Sequence, residues 1–343
     1  MPMRGTAIMP HRLAAFGPIP TLLLMLSLPP ACAMAGDILY VTNSDAELIS
    51  VIDGDKGIVI REVKVGKEPC DIVIDPKGEL IAVSHEEKRG EVWFLNRKDL
   101  SVRGKALLVE EKDGRKTNCF FLAFSKDSKK LYAANLHSGF VFVVDVLEAS
   151  VTKKIGLLSR GKAFNLRGVA LSPDGALLYL PNSVGREILV VDLEKDEALE
   201  PIALDGDASA IAFSPDGSRL YIANGLTPSL NVMDIKTRAV IKRIPIGNQP
   251  ASVAVSKDGS FVFVSNKISY DIDKIDAALL KKAANIPVGM YPIGIAVSDD
   301  GKRVYVCNYN ENTVSVIDAM SAKEILRVAT DSTPLKIAVH CAP

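Results

Sequence analysis

The sequence predicts an all-β chain folded as a seven-bladed β-propeller, with four antiparallel strands per blade and the first blade closed by the N- and C-terminal strands. Three observations predict it. A unit of about 42 residues recurs seven times, each unit holds four strand-like runs, and the final apolar run has no hairpin partner after it.

The chain opens with an export signature. Arg4 and Arg12 carry positive charge, Thr21–Leu28 is an apolar run, and Ala31–Ala35 offers small-residue cleavage sites. The run is too short to span a bilayer, which takes roughly 20 residues. Residues 1–35 therefore read as a signal peptide cut after Ala35, and residues 36–343 as a single propeller domain in the periplasm or secreted. Lipidation at Cys32 is the alternative, but Pro29 and Pro30 stand where a lipobox carries other residues. No later segment is apolar enough to cross a membrane.

Repeats open at Leu39, Leu80, Leu131, Leu178, Leu220, Val262 and Val304, spaced 41, 51, 47, 42, 42 and 42 residues apart. The first run of each unit is typified by LYVTN and the second by SVID, ending in Asp. The third is mixed, as in Ala239–Gly247, and the fourth is short and apolar, as in Ser252–Ser256. Val, Ile, Tyr and Phe dominate, and no run has a helical period. Ser-Pro-Asp-Gly recurs at Ser172–Gly175 and Ser214–Gly217, with variants at Asp75–Gly78, Ser256–Gly259 and Ser298–Gly301 and a degenerate copy at Ser125–Ser128. Pro presets the first turn dihedral and Gly takes the left-handed position, so the flanking strands are antiparallel neighbours. Innermost strands converge on the axis and should carry small middle residues. Ala123, Ala170, Ala212, Ala254, Ala296 and Ala338 comply, with Val73 larger. Lys336–His340 and Asp37–Asn43 should pair to close the ring, which removes open edges.

Composition excludes several roles. Lys+Arg and Asp+Glu both number 41, so nothing suggests a nucleic-acid surface or an acidic tail. Five Cys without a Cys-x-x-Cys pair argue against a zinc ribbon, a dithiol oxidoreductase and a c-type haem. Nucleophile-elbow, Walker and dinucleotide motifs are absent, so no catalytic residue and no cofactor are assigned.

The repeats resemble the YVTN family of bacterial β-propellers, whose signature stands at Tyr40-Val41-Thr42-Asn43. The resemblance covers residues 36–343. Repeat 2 departs from it, with Ser84 in place of the signature Asn and Asn96 in place of the strand-ending Asp. It implies an exported binding or scaffold module acting on a protein or small-molecule ligand. More distant relatives imply an alternative: the propeller subunit of a periplasmic redox enzyme complex, or a lactonase-like hydrolase.

By analogy with the fold, ligands are expected at the axis, on the mouth where the first run ends. The signature asparagines Asn43, Asn135, Asn182, Asn224, Asn266 and Asn308 read as turn residues, because Asn tolerates left-handed backbone and bonds its own turn. Departures from the repeat are more informative. Enlarged mouth loops are expected at Ser84–Gly90, Glu110–Asn118 and Ser159–Asn165. Asp71 and Lys336 fill an axial slot that is small or apolar in other blades, and are expected to form an ion pair, with Arg167 one place earlier in blade 4. His85 and His137, expected in equivalent mouth loops with Glu86 and Glu87 near, are the weak candidates for a metal. Arg160 and Lys162 complete the candidate mouth residues. Cys70 and Cys119 enter adjacent innermost strands and are the candidate disulfide, whereas Cys307 and Cys341 lie at opposite ends of their blades and should not pair.

Overall fold

A computed structural model describes residues 36–86, 90–108, 119–159, 161 and 163–342. The expected signal peptide, Glu87, Arg160, Lys162 and the Glu110–Asn118 loop lie outside the described residues. Seven four-stranded antiparallel sheets follow one another around a ring. Blades 2 to 7 each run from innermost to outermost strand in chain order; blade 2, for instance, is Pro69–Ile74, Leu80–His85, Glu91–Asn96 and Val102–Leu107.

Blade 1 takes its innermost strand, Pro334–Ala342, from the chain's end. That strand pairs with Gly36–Asn43, placing Ala338 opposite Tyr40 and Cys341 opposite Asp37. The expected closure is therefore the observed one, and it is longer than the Lys336–His340 run suggests.

The turns follow from their residues. In Ser214–Gly217, Gly217 N donates to Ser214 O at 2.9 Å, and Ser214 Oγ donates to Asp216 Oδ1 at 2.6 Å. Gly217 has φ +72°, the left-handed region that glycine enters at no steric cost. Every blade also carries a bulge between its third and outermost strands, such as Val232/Met233 in blade 5, which adds twist to the outer half of the sheet.

The core lies between blades. One cluster joins Leu39, Val41 and Ile52 of blade 1 to Tyr305, Cys307, Val314 and Val316 of blade 7. Each sheet thus buries its faces against its neighbours, and no blade has a complete core alone.

Backbone register corrects one reading. Ala82 pairs with Phe94, as Tyr40 pairs with Val51 at the matching place in blade 1, so repeat 2 begins at Ile81. The residue in the signature Asn position is His85, not Ser84. Leu80 and Ile81 are adjacent apolar residues, and the sequence pattern alone slips by one between them.

Candidate functional site: the axial mouth

The innermost strands begin at the mouth, and the loops that enter three of them share a G-x-x-P pattern: Gly66–Pro69, Gly247–Pro250 and Gly289–Pro292. Glycine is required there by close approach. A Cβ on Gly247 would lie 2.7 Å from the carboxamide of Asn266, and one on Gly289 would lie 2.6 Å from that of Asn308. The signature asparagines are thus packed beneath the mouth loops, buried and bonded to their own blades, as Asn43 is to Ser50 Oγ at 2.9 Å.

Blade 4 breaks the inner wall. Its innermost strand is reduced to Ala170–Leu171. Upstream, Leu166 bridges Asn182 and Arg167 N donates to Pro181 O at 3.0 Å. Gly168 (φ +154°) separates the two paired stretches. The kink delivers Arg167 to the axis.

Two cavities stack along that axis. The upper one, about 540 Å³, is lined by Arg167, Lys267, Lys336, Asp207 and the sulfur-bearing residues Cys70 and Cys119. The lower one, about 200 Å³, contains Asp71, Val73, Gly168 and Ser252. Arg167, Lys336, Phe121 and Ala251 line both and so connect the levels.

The charges in this space are unbalanced. Asp207 spends one carboxylate oxygen on Gly225 N and Leu226 N, each at 2.9 Å. Buried Asp71 accepts from Ile72 N at 3.0 Å and, across the seam to blade 3, from Leu122 N at 2.9 Å. Among the described residues, neither pairs within 4 Å with Arg167, Lys267 or Lys336. The expected Asp71–Lys336 contact is therefore not a direct ion pair. Burial raises the Asp71 pKa, and Lys336 opposes that through space. Burial lowers the Lys267 pKa, and the like charges of Arg167 and Lys336 push it the same way. Three cations from blades 4, 6 and 1 thus face one cavity.

Cys70 and Cys119 are joined in a disulfide, with Cα atoms 5.8 Å apart, linking the innermost strands of blades 2 and 3 at the cavity wall. Ser84 reinforces this seam, donating to Phe120 O at 2.7 Å and lying 3.2 Å from Cys70 Sγ. Cys307 and Cys341 are free thiols.

The histidines do not converge. His85 ends a strand instead of sitting in a loop and is 1 % exposed. Its ring centroid lies 5.2 Å from that of Trp93, with Nδ1 3.4 Å from Glu91 O. Burial lowers its pKa to about 4, so the imidazole is neutral. His137 Nδ1 is 3.3 Å from Phe164 O, in the strand-entry segment of blade 4. Glu86 N donates to Glu68 O. Among the described residues, no three His, Cys, Asp or Glu side chains gather as a metal site. Sequence reasoning missed Lys267. It stands one place after a signature Asn, in a column that reads Ser44, Glu86, Leu136, Ser183, Gly225 and Tyr309 in the other blades, so no departure from a pattern marks it in the sequence.

Comparison with known proteins agrees on the architecture. Residues 250–336 match the family described as Cytochrome D1 heme domain, and residues 167–275 match Lactonase, 7-bladed beta-propeller. Hydrazine synthase from Kuenenia stuttgartiensis superposes with a TM-score of 0.70 at 19% identity, covering 89% of this chain and 99% of that one. A functionally unknown protein from Desulfotomaculum acetoxidans gives 0.74 at 16% identity over the same shares. The dihydro-heme d1 dehydrogenase NirN, in complex with DHE, gives 0.65 at 16% identity, covering 86% of this chain and 64% of that one. At these identities the likeness is one of fold. No curated protein sequence matches the chain. Among the described residues, no helix is long and apolar enough to cross a membrane.

Proposed function

We propose that the chain is an exported binding module that takes a small organic anion, of the polycarboxylate kind, into the axial mouth of its propeller. The observation that carries this reading is the convergence of Arg167, Lys267 and Lys336 on one cavity whose carboxylates are turned toward backbone amides. Like charges held together repel, and Lys267 is partly stripped of water; an anion bearing two or more carboxylates relieves both costs. Each charge-assisted hydrogen bond contributes about 1.5–3 kcal/mol. Export is supported by the order of Arg4, Arg12, Thr21–Leu28 and Ala31–Ala35, and by a disulfide suited to an oxidising compartment.

A haem-type group is one carboxylate-bearing anion that the relatives suggest. The described lining residues suit its carboxylates but include no imidazole, thioether or free thiol for its iron. They do not fit such a group. For the lactonase-like alternative, His137 is turned to the Phe164 carbonyl, which leaves Asp71, Asp207 and Lys267 as the basic groups at the cavity.

A second reading, docking of a periplasmic redox partner, rests on Val184, Leu226 and Ile268. These stand two places after the signature Asn in blades 4, 5 and 6, with exposures of 58%, 66% and 45%. They form an apolar arc on the mouth rim, of the kind that marks interaction sites. Leu226→Glu should abolish co-purification of such a partner.

Thermal denaturation in citrate tests the anion reading. The melting temperature should rise with citrate, by the equivalent of about 2.7 kcal/mol when free citrate reaches one hundred times its dissociation constant. The gain should shrink with added salt and in Arg167→Gln and Lys267→Gln. Melting that ignores citrate, phosphate and aromatic dicarboxylates alike would overturn it.

A further inference from the structure

We infer that the Cys70–Cys119 disulfide is a reactive site that captures anionic low-molecular-weight thiols from the axial cavity as mixed disulfides at Cys119. The inference rests on the anion-binding reading and adds a covalent step to it.

Four observations combine. Both cysteines line the cavity faced by Arg167, Lys267 and Lys336, so a thiol carrying carboxylates concentrates beside the bond it attacks. Cys119 is partly exposed whereas Cys70 is 1 % exposed, which directs attack to the Cys119 sulfur and leaves Cys70 as the departing thiolate. Ser84 Oγ lies 3.2 Å from Cys70 Sγ, so its proton, now directed at Phe120 O, can turn to the departing sulfur. The same three cations favour negative charge on sulfur, and low leaving-group basicity speeds exchange. The opposing charges are Asp71 and Asp207. Both are engaged by backbone amides, Asp71 from Ile72 and Leu122, and Asp207 from Gly225 and Leu226.

The step balances without another oxidant. The incoming thiolate forms a bond to Cys119 Sγ as the Cys70–Cys119 bond breaks. The small thiol's sulfur is oxidised, and the Cys70 sulfur is reduced and takes a proton from water. Return attack by Cys70 on the mixed disulfide releases the thiol and restores the bond, so capture is reversible.

The experiment uses the unaltered protein. It is incubated with reduced glutathione or with cysteamine, a cationic thiol, quenched with iodoacetamide and analysed by intact mass and peptide mapping. Rates are normalised to thiolate concentration. The expected result is one glutathione adduct on Cys119, carboxamidomethylation of Cys70, and capture about ten-fold faster for glutathione than for cysteamine. High salt, Arg167→Gln or Lys336→Gln should erase the difference, and S-methylglutathione should slow capture and raise the melting temperature. Equal rates for the two thiols, an adduct on Cys70, or no adduct overturns the inference. If citrate still raises the melting temperature in that case, the anion reading stands; if citrate, phosphate and aromatic dicarboxylates all leave it unchanged, both fall.

Discussion

Val73, on the innermost strand of blade 2, lies directly opposite Ala82 on the second strand, the reverse of the order in the other six blades. There an innermost alanine faces an aromatic ring: Ala123 with Tyr132, Ala170 with Tyr179, Ala212 with Tyr221, Ala254 with Phe263, Ala296 with Tyr305 and Ala338 with Tyr40. The ring wall needs a fixed volume per paired position, and blade 2 supplies it with Val73 and with Phe94 and Phe124, whose rings lie 6.4 Å apart beside Ala82. Ala82→Tyr should therefore overpack this seam and cost about 1–3 kcal/mol. Pairing it with Val73→Ala should recover part of that loss, giving a favourable coupling in a double-mutant cycle. Urea unfolding of the four proteins measures it, and strict additivity would show that the two positions do not share volume.

His85 gives the fold a pH dependence near neutrality. Its folded-state pKa is about 4 against the ordinary 6.5, because burial against Trp93 penalises the charged ring. Above pH 6.5 both folded and unfolded states are neutral at this site and nothing is lost. As pH falls below 6.5 the unfolded chain binds a proton that the folded chain refuses, so stability declines until about pH 4. The full loss is about 3 kcal/mol. His340, held low by burial and by Arg97, adds to the same window, so the comparison must be with a variant. His85→Asn, which restores the signature residue, should flatten the fall in unfolding free energy between pH 7 and pH 5. Parallel curves for the two proteins would contradict the assignment. Asp258 and Asp300, each lowered to about 2 by hydrogen bonds from neighbouring Ser and Lys groups, act in a separate window. Their stabilisation is present above pH 4 and lost as pH falls through 2.

The fold was legible because each blade repeats the same local instructions. Turns such as Ser214–Gly217, alternating apolar strands and the unpaired Lys336–His340 run all specify one architecture. The site was less legible. Arg167 and Lys336 stood out as departures at axial positions, but Lys267 sits in a loop and reaches the cavity only once the ring is built. His85 was misplaced because a strand ending and a loop beginning look alike when register can slip by one residue. Asp71 was read as a partner for Lys336, yet its nearer partner is Leu122 N, and backbone donors leave no mark in a sequence pattern.

Ser128 marks the one degenerate turn of the Ser-Pro-Asp-Gly set. It adopts φ +62°, where Gly78, Gly175, Gly217, Gly259 and Gly301 have φ between +70° and +83°. Its N–H still donates to Ser125 O at 2.9 Å, so the turn closes, but its buried hydroxyl has no partner among the described residues. A side chain in left-handed backbone costs about 1–2 kcal/mol, and a buried unpaired hydroxyl adds to it. Part of the gain from glycine is offset by greater freedom in the unfolded chain. Ser128→Gly should raise stability by about 1 kcal/mol, read as a higher urea midpoint with unchanged slope. A lower midpoint would mean that the hydroxyl has a partner in solution.

The ring is fastened at Asp37. Tyr305 of blade 7 donates its hydroxyl to Asp37 Oδ2 at 2.5 Å, and Cys341 of the closing strand donates its thiol to Oδ1 at 2.7 Å. Gly54 N donates to the Asp37 carbonyl at 2.8 Å. One buried carboxylate therefore ties the first strand, the last strand and the neighbouring blade. Burial and the Asp37 charge raise the Tyr305 pKa, so the phenol remains a donor throughout the physiological range. Tyr305→Phe leaves the ring's volume in place and removes one charge-assisted bond, which should cost about 1.5–3 kcal/mol. Tyr221, at the same position in blade 5, is the control, because Tyr221→Phe touches no closing strand. Amide exchange in Pro334–Ala342 should accelerate in Tyr305→Phe and stay unchanged in Tyr221→Phe, since only the first loosens the seam where the chain's ends meet. Equal acceleration in both variants would place the weakest point of the ring elsewhere and remove Asp37 from its closure.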